Sequence, residues 1–242
     1  MGRAIVRAAS DSDTCCILAG VDVNAEAMAG GEFPVYGNIE EFPGNADVIV
    51  DFSHHTATES LLSYARRTKT PLVIATTGHT EEELAEIHTA ATEVAIFRSG
   101  NMSIGINLLM ELCRTAAETL GVEFDVEIVE RHHNRKLDAP SGTALMLADA
   151  VAETREESEY VYDRHSVRRQ RSQKEIGIHS VRGGSIVGEH EVLFAGENEM
   201  ISLTHTATSR EVFATGALRA AEYMKGKSAG LYNMSDLIAR KA

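Results

Sequence analysis

The stretch PLVIATTG, residues 71–78, is a short apolar run that ends in two threonines and a glycine. An apolar run of this length, bounded by proline and glycine, is typical of a strand buried on both faces of a parallel sheet. Three similar runs lie in the first hundred residues, and helix-like stretches separate them; the runs are TCCILAGV from Thr14, DVIVDFS from Asp47 and VAIFRSG from Val94. This alternation predicts an α/β domain with helices on both faces of a parallel sheet.

The alternation of strands and helices ends near Ser103, where a long helical stretch begins and runs to Gly121. FDVEIVERHH follows and alternates apolar and polar residues, as a half-exposed strand does. The later elements are, in order, a helix from Ser141, a polar loop over residues 154–175, strand-like runs between Ile176 and Thr208, and a closing helix over residues 209–225. This order predicts a second, α+β domain with a mostly antiparallel sheet.

Composition excludes several classes of protein. The net charge is −13, from 23 basic and 36 acidic residues, so phosphate repulsion argues against nucleic acid as a partner. We find no leader pattern and no run of 18 apolar residues, which argues against a membrane protein. The spacing of the three cysteines, Cys15, Cys16 and Cys113, fits a reduced cytoplasmic protein better than a disulfide scaffold.

Small or polar residues follow each apolar run of the first domain, and ligands of doubly wound sheets bind at those strand ends. Asp22 stands where an acidic residue binds the ribose hydroxyls of a dinucleotide, and Thr76, Thr77 and Gly78 would let backbone approach a cofactor. The G-x-G-x-x-G loop of such sites is absent, and the chain starts with MGRAIVRAAS, which looks like the helix that follows it. The alternative is that these residues only form turns and caps.

The segment ERHHNRKLDAPSGTA, residues 130–144, concentrates groups that bind anions or move protons. Ser141, Gly142 and Thr143 open a predicted helix, whose first N–H groups attract a carboxylate. Lys136 and a titratable histidine suit an acidic substrate that must be protonated. The alternative is an exposed loop in which Asp138 or Ser141 caps the helix and the histidines are solvated.

The same segment resembles the signature of the 4-hydroxy-tetrahydrodipicolinate reductase (dihydrodipicolinate reductase) family, E-x-H-H-x-x-K-x-D-A-P-S-G-T-A. Other stretches agree with the family in order, among them VDFSHH, ATTGHT, NMSIGINLL, GGSIVGEHEVLFA and GLYNMSDLI. The similarity covers nearly the whole chain. Another aspartate-pathway dehydrogenase, such as homoserine dehydrogenase, has no support from this motif.

The resemblance implies reduction of the cyclic product of aspartate semialdehyde and pyruvate, on the route to diaminopimelate and lysine. It also implies NADH or NADPH as hydride donor, a dicarboxylate substrate and a homotetramer. A Rossmann-like dinucleotide-binding domain would comprise residues 1–102 and 214–242. A substrate-binding and oligomerisation domain would comprise residues 103–213.

The resemblance also assigns roles by position, and none of them involves a metal. His132 would be the acid/base residue and Lys136 the proton donor, while His133, Gly142 and Thr143 would hold the substrate. The residues implied to contact the cofactor are Asp22, Ala75, Thr76, Thr77, Ser99, Gly100, Asn101 and Met102.

Three departures from the family pattern lead to further expectations. Gly2 and Arg3 match only the end of the glycine-rich loop, so the first strand and the pyrophosphate cradle are expected to be missing. That motivates an alternative function, a non-catalytic remnant that binds the dicarboxylate but not the dinucleotide. Ala75 replaces a usual glycine, which would crowd the nicotinamide side slightly. Val23 stands where some members have a basic residue, and Asp22 would repel a 2′-phosphate, so we expect a preference for NADH.

Overall fold

A computed structural model describes residues 1–28 and 30–239, and its contacts divide the chain into two compact units. Unit 1 comprises Met1–Ser103 and the segment from Glu211 onward, and unit 2 comprises Ile104–Arg210. The elements in chain order are α1 (Gly2–Ser10), β1 (Gly20–Val21), β2 (Val35–Tyr36), β3 (Ile49–Asp51), α2 (Thr58–Thr68), β4 (Leu72–Ile74), α3 (Glu81–Ala91), β5 (Ala95–Arg98), α4 (Ile104–Leu120), β6 (Asp125–His132), α5 (Gly142–Ala152), β7 (Glu159–Val161), β8 (Glu175–Arg182), β9 (Gly188–Ala195), β10 (Met200–Ala207), α6 (Glu211–Met224), β11 (Gly230–Tyr232) and α7 (Met234–Ala239).

Unit 1 is built on parallel strands. Four of them pair in the order β11-β5-β4-β3, and β1 and β2 form a separate parallel pair. The central strand β4 is fully buried because Leu72 and Ile74 pack against α2 and α3, whereas Val73 packs with α1 and α6. A sheet covered by helices on both faces confirms the predicted α/β domain.

Two features of unit 1 differ from the sequence-based expectation. The strand predicted over Thr14–Val21 is wrong for most of its length: only Gly20 and Val21 pair, because β2 offers just two residues, and Leu18 is exposed. The last predicted element is the closing helix over residues 209–225, but beyond it Gly230–Tyr232 forms strand β11 beside β5. Among the described strands, β3 is paired on one side only.

The five-stranded sheet of unit 2 has the antiparallel pairings that the sequence predicts, together with parallel ones. Its order is β10-β9-β6-β8-β7: β9 pairs antiparallel with β10 and β6, whereas β8 pairs parallel with β6 and β7. The parallel part arises because α5 crosses over the sheet after β6, so the chain re-enters in the same direction. Strand β7 lies inside the segment that was expected to be a loop.

The core of unit 2 lies between one face of this sheet and helices α4 and α5. Alternate residues of β6 are buried and half-buried, the pattern of a strand with one covered face. Val126 and Ile128 enter the core, and Glu130 and His132 continue on the same face toward the end of the strand. The fold therefore directs two polar side chains to the covered side of the sheet.

Within residues 1–28 and 30–239, no helix combines the length and the apolar character needed to span a bilayer. The described residues also contain no group of three or more His, Cys, Asp or Glu side chains placed to hold a metal ion. Cys15, Cys16 and Cys113 are all free thiols.

Candidate active site

His132 is the last residue of β6 and is bonded to Glu130, two residues earlier on the same strand face. Its Nδ1 lies 2.6 Å from Glu130 Oε2, and the whole residue is only 9% exposed. The pleat of the strand brings i and i+2 side chains together, so this contact follows directly from the strand geometry. The structure thus places the predicted acid/base residue beside a carboxylate.

Glu130 is fully buried and receives several charge-assisted hydrogen bonds. Arg182 donates from Nη1 and Nη2 at 2.7 Å each, one to each carboxylate oxygen, and the backbone N–H of Ser141 donates at 3.1 Å. Burial alone would raise the pKa of Glu130, but the bonds from Arg182 and His132 lower it to about 2. The site is therefore built on a permanent buried negative charge.

Ser141 connects this carboxylate to the start of α5. Its hydroxyl accepts from the N–H of Ala144 at 3.1 Å and lies 2.9 Å from Nε2 of His190. Burial lowers the pKa of His190 to about 3, so this imidazole is neutral at neutral pH. The His190 ring also meets the His132 ring edge to face, with centroids 5.2 Å apart.

Lys136 lies in the loop between β6 and α5. Its Nζ is 2.8 Å from Asp138 Oδ1, and that bond lowers the pKa of Asp138. The backbone oxygen of Asp138 accepts from Arg182 Nη2 at 2.7 Å, so the same guanidinium that binds Glu130 also anchors this loop. Burial lowers the pKa of both His133 and His190, and the positive charge of Lys136 adds to that effect.

His133 follows the end of β6 and belongs to a cationic group. Arg210 Nη2 lies 3.4 Å from its Nε2, and partial burial together with Arg135 and Arg210 lowers the pKa of His133. A neutral imidazole among cations is suited to accept or donate a hydrogen bond without adding charge. Arg210 was not singled out from the sequence, because nothing local distinguishes an arginine just before a helix.

The start of α5 offers space as well as backbone donors. Gly142 is the first helical residue, and a Cβ placed on it would meet no atom within 4 Å. Thr143 follows in the first turn, where the helix dipole favours a carboxylate. Glu130 therefore links His132 directly, and the loop of Lys136 through Arg182, to the N-terminus of α5.

In unit 1, polar groups gather at the carboxyl ends of β3, β4 and β5. Asp51 ends β3 and accepts from Ser53 N at 2.9 Å. Thr76 is 6% exposed, and its hydroxyl has no hydrogen-bond partner among the described residues. The same holds for both ring nitrogens of His79 and for Nε of Arg98, and burial and Arg98 lower the pKa of His79. Buried polar atoms without partners indicate a site for a polar ligand.

The turn after β5 is fixed by its own hydrogen bonds. Ser99 Oγ donates to the backbone oxygen of Asn101 at 2.7 Å, and Asn101 Oδ1 accepts from Ser103 N at 2.8 Å. Met102 is buried against α6, where Gly216 lies directly opposite its carbonyl group. The predicted cofactor residues Ala75, Thr77 and Gly100 lie at the same strand ends, Ala75 half-buried and the other two exposed.

Asp22 directly follows β1. Its backbone N–H donates to Tyr36 O at 3.0 Å, and its Oδ1 accepts from Asn24 N at 2.8 Å. Val23 beside it is 92% exposed and offers no charge. The carboxylate is thus held at a strand end without a neighbouring basic side chain at position 23.

These observations define a class of protein: a two-unit protein with a parallel α/β unit of the kind that binds nucleotides at its strand ends, and a second unit whose cationic side chains and helix N-terminus suit an acidic ligand. The dihydrodipicolinate reductase N-terminal family profile matches residues 1–102, and the C-terminal profile of the same family matches residues 105–238. The chain belongs to the dihydrodipicolinate reductase family, whose members are NAD(P)H-dependent oxidoreductases of lysine and diaminopimelate biosynthesis.

Similar proteins agree with this assignment. The 4-hydroxy-tetrahydrodipicolinate reductase of Caldanaerobacter subterraneus is 51% identical over 241 residues, which are 99% of this chain and 94% of that protein. The Clostridium tetani enzyme of the same name is 47% identical and is covered to 92%. A dipicolinate-bound dihydrodipicolinate reductase from a Paenisporosarcina species matches with a TM-score of 0.79 and 27% identity, over 96% of this chain and 92% of that one. This coverage favours the reductase over the non-catalytic remnant.

Proposed function

We propose that this chain reduces 4-hydroxy-tetrahydrodipicolinate to tetrahydrodipicolinate, with Lys136 as the proton donor and His132 as the acid/base residue. The observation that supports these roles is that the buried Glu130 contacts His132 directly and is linked to the loop of Lys136 through Arg182. The solved Paenisporosarcina relative binds dipicolinate, a ring with two carboxylates. A substrate of that kind matches the cations and the helix N-terminus described above.

The residues of unit 2 have distinct roles in binding the substrate and transferring a proton. Gly142 and Thr143 offer hydrogen bonds at the start of α5 to one carboxylate, and His133 contacts the substrate beside Arg210. The reduced nicotinamide supplies a hydride when it is bound. The 4-hydroxyl group leaves as water together with a ring hydrogen, and the unsaturated ring that results accepts the hydride. That ring gains negative charge, and Lys136 delivers the proton that quenches it.

The cofactor would be held by unit 1. Its residues fit a dinucleotide because Thr76 and its neighbours His79 and Arg98 keep buried polar atoms that lack partners within the described chain. Asp22 would bind the ribose hydroxyls, and Ala75–Thr77 and Ser99–Met102 would line the nicotinamide side.

NADH should be the better cofactor, because the Asp22 carboxylate accepts ribose hydroxyls but repels a 2′-phosphate. We expect kcat/KM for NADH to exceed that for NADPH by roughly tenfold, the equivalent of about 1.4 kcal/mol. The measurement is NAD(P)H oxidation with substrate formed from aspartate semialdehyde and pyruvate. The matched variant Asp22→Asn can keep the hydrogen bond from Asn24 N. It should reduce the ratio of kcat/KM for NADH to kcat/KM for NADPH.

Equal or better turnover with NADPH in the wild-type protein would contradict the preference. Calorimetric titration with NADH separates the reductase from the remnant: micromolar binding excludes the remnant. Absence of both binding and turnover would exclude the reductase.

The protein should assemble as a homotetramer in the cytoplasm, without nucleic acid as a partner. The sheet face opposite α4 and α5 supports the assembly: it combines half-buried Val129 and Leu193 with the ion pairs of Arg131 to Glu189 and Glu191, a surface able to pair with a copy of itself. We expect sedimentation equilibrium to give four times the chain mass of 26.2 kDa. A monomer at micromolar concentration would contradict this prediction. The free thiols fit a reducing compartment.

A further inference from the structure

We propose that Glu130 is the positioning residue of this site: held by Arg182, it determines which ring nitrogen of His132 carries the proton. The inference rests on the proposed function for the catalytic role of His132, whereas the protonation pattern itself follows from the geometry.

The contact between Glu130 and His132 is compatible with a proton on only one ring nitrogen of His132, unless the ring is fully protonated. An ionised carboxylate only accepts hydrogen bonds, so at 2.6 Å the Nδ1 of His132 must carry the proton. In the neutral ring, Nε2 therefore holds the lone pair, and in the charged ring it holds the second proton. Among the described residues, no hydrogen bond occupies Nε2, so this nitrogen is the one available for proton exchange.

Arg182 holds the carboxylate in a fixed plane. Its two Nη atoms bond the two oxygens of Glu130, and Nη2 also reaches the backbone of Asp138. Two parallel bonds of this kind fix orientation as well as charge. Through Arg182 and the Ser141 N–H, one carboxylate connects His132, the loop of Lys136 and the N-terminus of α5.

The remaining surroundings of the ring keep it in place and leave Nε2 accessible. His190 packs edge to face on one side of the ring. Gly188 also lies close to the ring, so that a Cβ there would be 3.1 Å from His132 Nε2. A glycine at this point leaves the space that a proton-exchange partner needs.

The Glu130→Gln variant tests the inference with nearly unchanged shape. A glutamine amide nitrogen at the Oε1 position would oppose two fixed donors, Arg182 Nη2 and Ser141 N, but at the Oε2 position it opposes one fixed donor, Arg182 Nη1. The hydroxyl of Ser180, which also bonds Glu130, can rotate to accept instead of donate. We expect the second orientation, in which the amide donates to Nδ1 and forces the proton of His132 to Nε2. A histidine in the wrong tautomer is a poor proton carrier.

The experiment is long-range ¹⁵N–¹H NMR of histidine side chains in the whole protein, with the His132 signals assigned by their loss in His132→Asn. Wild-type protein should show the Nδ1–H tautomer, and Glu130→Gln should show the Nε2–H tautomer. In parallel, kcat of Glu130→Gln should fall about 100-fold or more, with KM changed much less.

Glu127→Gln is the matched control. Glu127 is on the same strand but the opposite face, and it accepts from another histidine, His179, at 2.7 Å. This variant should leave both the His132 tautomer and kcat unchanged. An Nε2–H tautomer in the wild type, or full turnover in Glu130→Gln with a switched tautomer, would overturn the proposal. The wild-type spectrum decides the tautomer even if Glu130→Gln does not fold, and full turnover in His132→Asn would instead refute the proposed catalytic role.

Discussion

Replacing Lys136 with alanine should lower kcat by about 10²–10⁴-fold, the range that a positioned proton donor contributes. The free energy of unfolding should stay within about 1 kcal/mol of wild type, because a partly exposed ion pair contributes little to stability. Within the described residues, the Lys136 side chain bonds only to Asp138, which is itself exposed. The substitution therefore separates chemistry from folding.

Steady-state kinetics and urea unfolding of the same preparations test this expectation. Lys174→Ala is the matched control, because Lys174 also pairs with a single exposed carboxylate, that of Glu157. It should keep wild-type turnover. If Lys136→Ala also keeps it, Lys136 is not the proton donor, whatever the reaction turns out to be.

Gly216→Ala should destabilise the protein by about 3 kcal/mol, at the upper end of overpacking costs. A Cβ on Gly216 would lie 1.8 Å from the carbonyl oxygen of Met102 and 2.9 Å from its carbonyl carbon. Backbone atoms cannot rotate away as a side chain can, so α6 or the turn after β5 must shift. The expected sign is opposite to helix propensity, which favours alanine by about 1 kcal/mol.

The comparison for this result is Gly177→Ala, where the added Cβ would also lie 1.8 Å from an atom, Oε2 of Glu127. That atom ends a flexible side chain, so the cost should be much smaller. Urea unfolding measures both variants, and NADH titration should show a further loss for Gly216→Ala because Met102 is a proposed cofactor residue. Equal stability of Gly216→Ala and wild type would show that this contact is not tight.

The sequence predicted the elements whose signals are local. The apolar run PLVIATTG correctly indicates β4, and the alternation in FDVEIVERHH correctly indicates β6. Pairing partners are not local, which is why the parallel pairings of unit 2 and the strand β11 were not predicted. Strand β11 has only three residues, too few to show a recognisable alternation of apolar and polar residues. It pairs with β5, which lies far away in the sequence.

In the candidate site, too, the sequence predicted what depends on local residues and not what depends on distant pairing. His132 and Lys136 stand in one motif, so the sequence alone singles them out. Arg182 reaches Glu130 because β6 and β8 pair in a register that sets His132 opposite Arg182, 50 positions later in the chain. No residue pattern within either strand predicts that pairing. Likewise, the buried atoms of His79 and Arg98 that lack hydrogen-bond partners can be identified only in the folded structure.

The alternation of β6 limits how this protein can change its length. Glu130 and His132 face the helices, while Glu127 and Arg131 on the reverse side join other ion pairs. Inserting or deleting one residue in the middle of the strand would exchange these two sets for every position beyond it. Changes of chain length should therefore be tolerated in loops away from the site but not within β6, since inserting or deleting a single residue there would bring Arg131 to the interior and turn His132 outward.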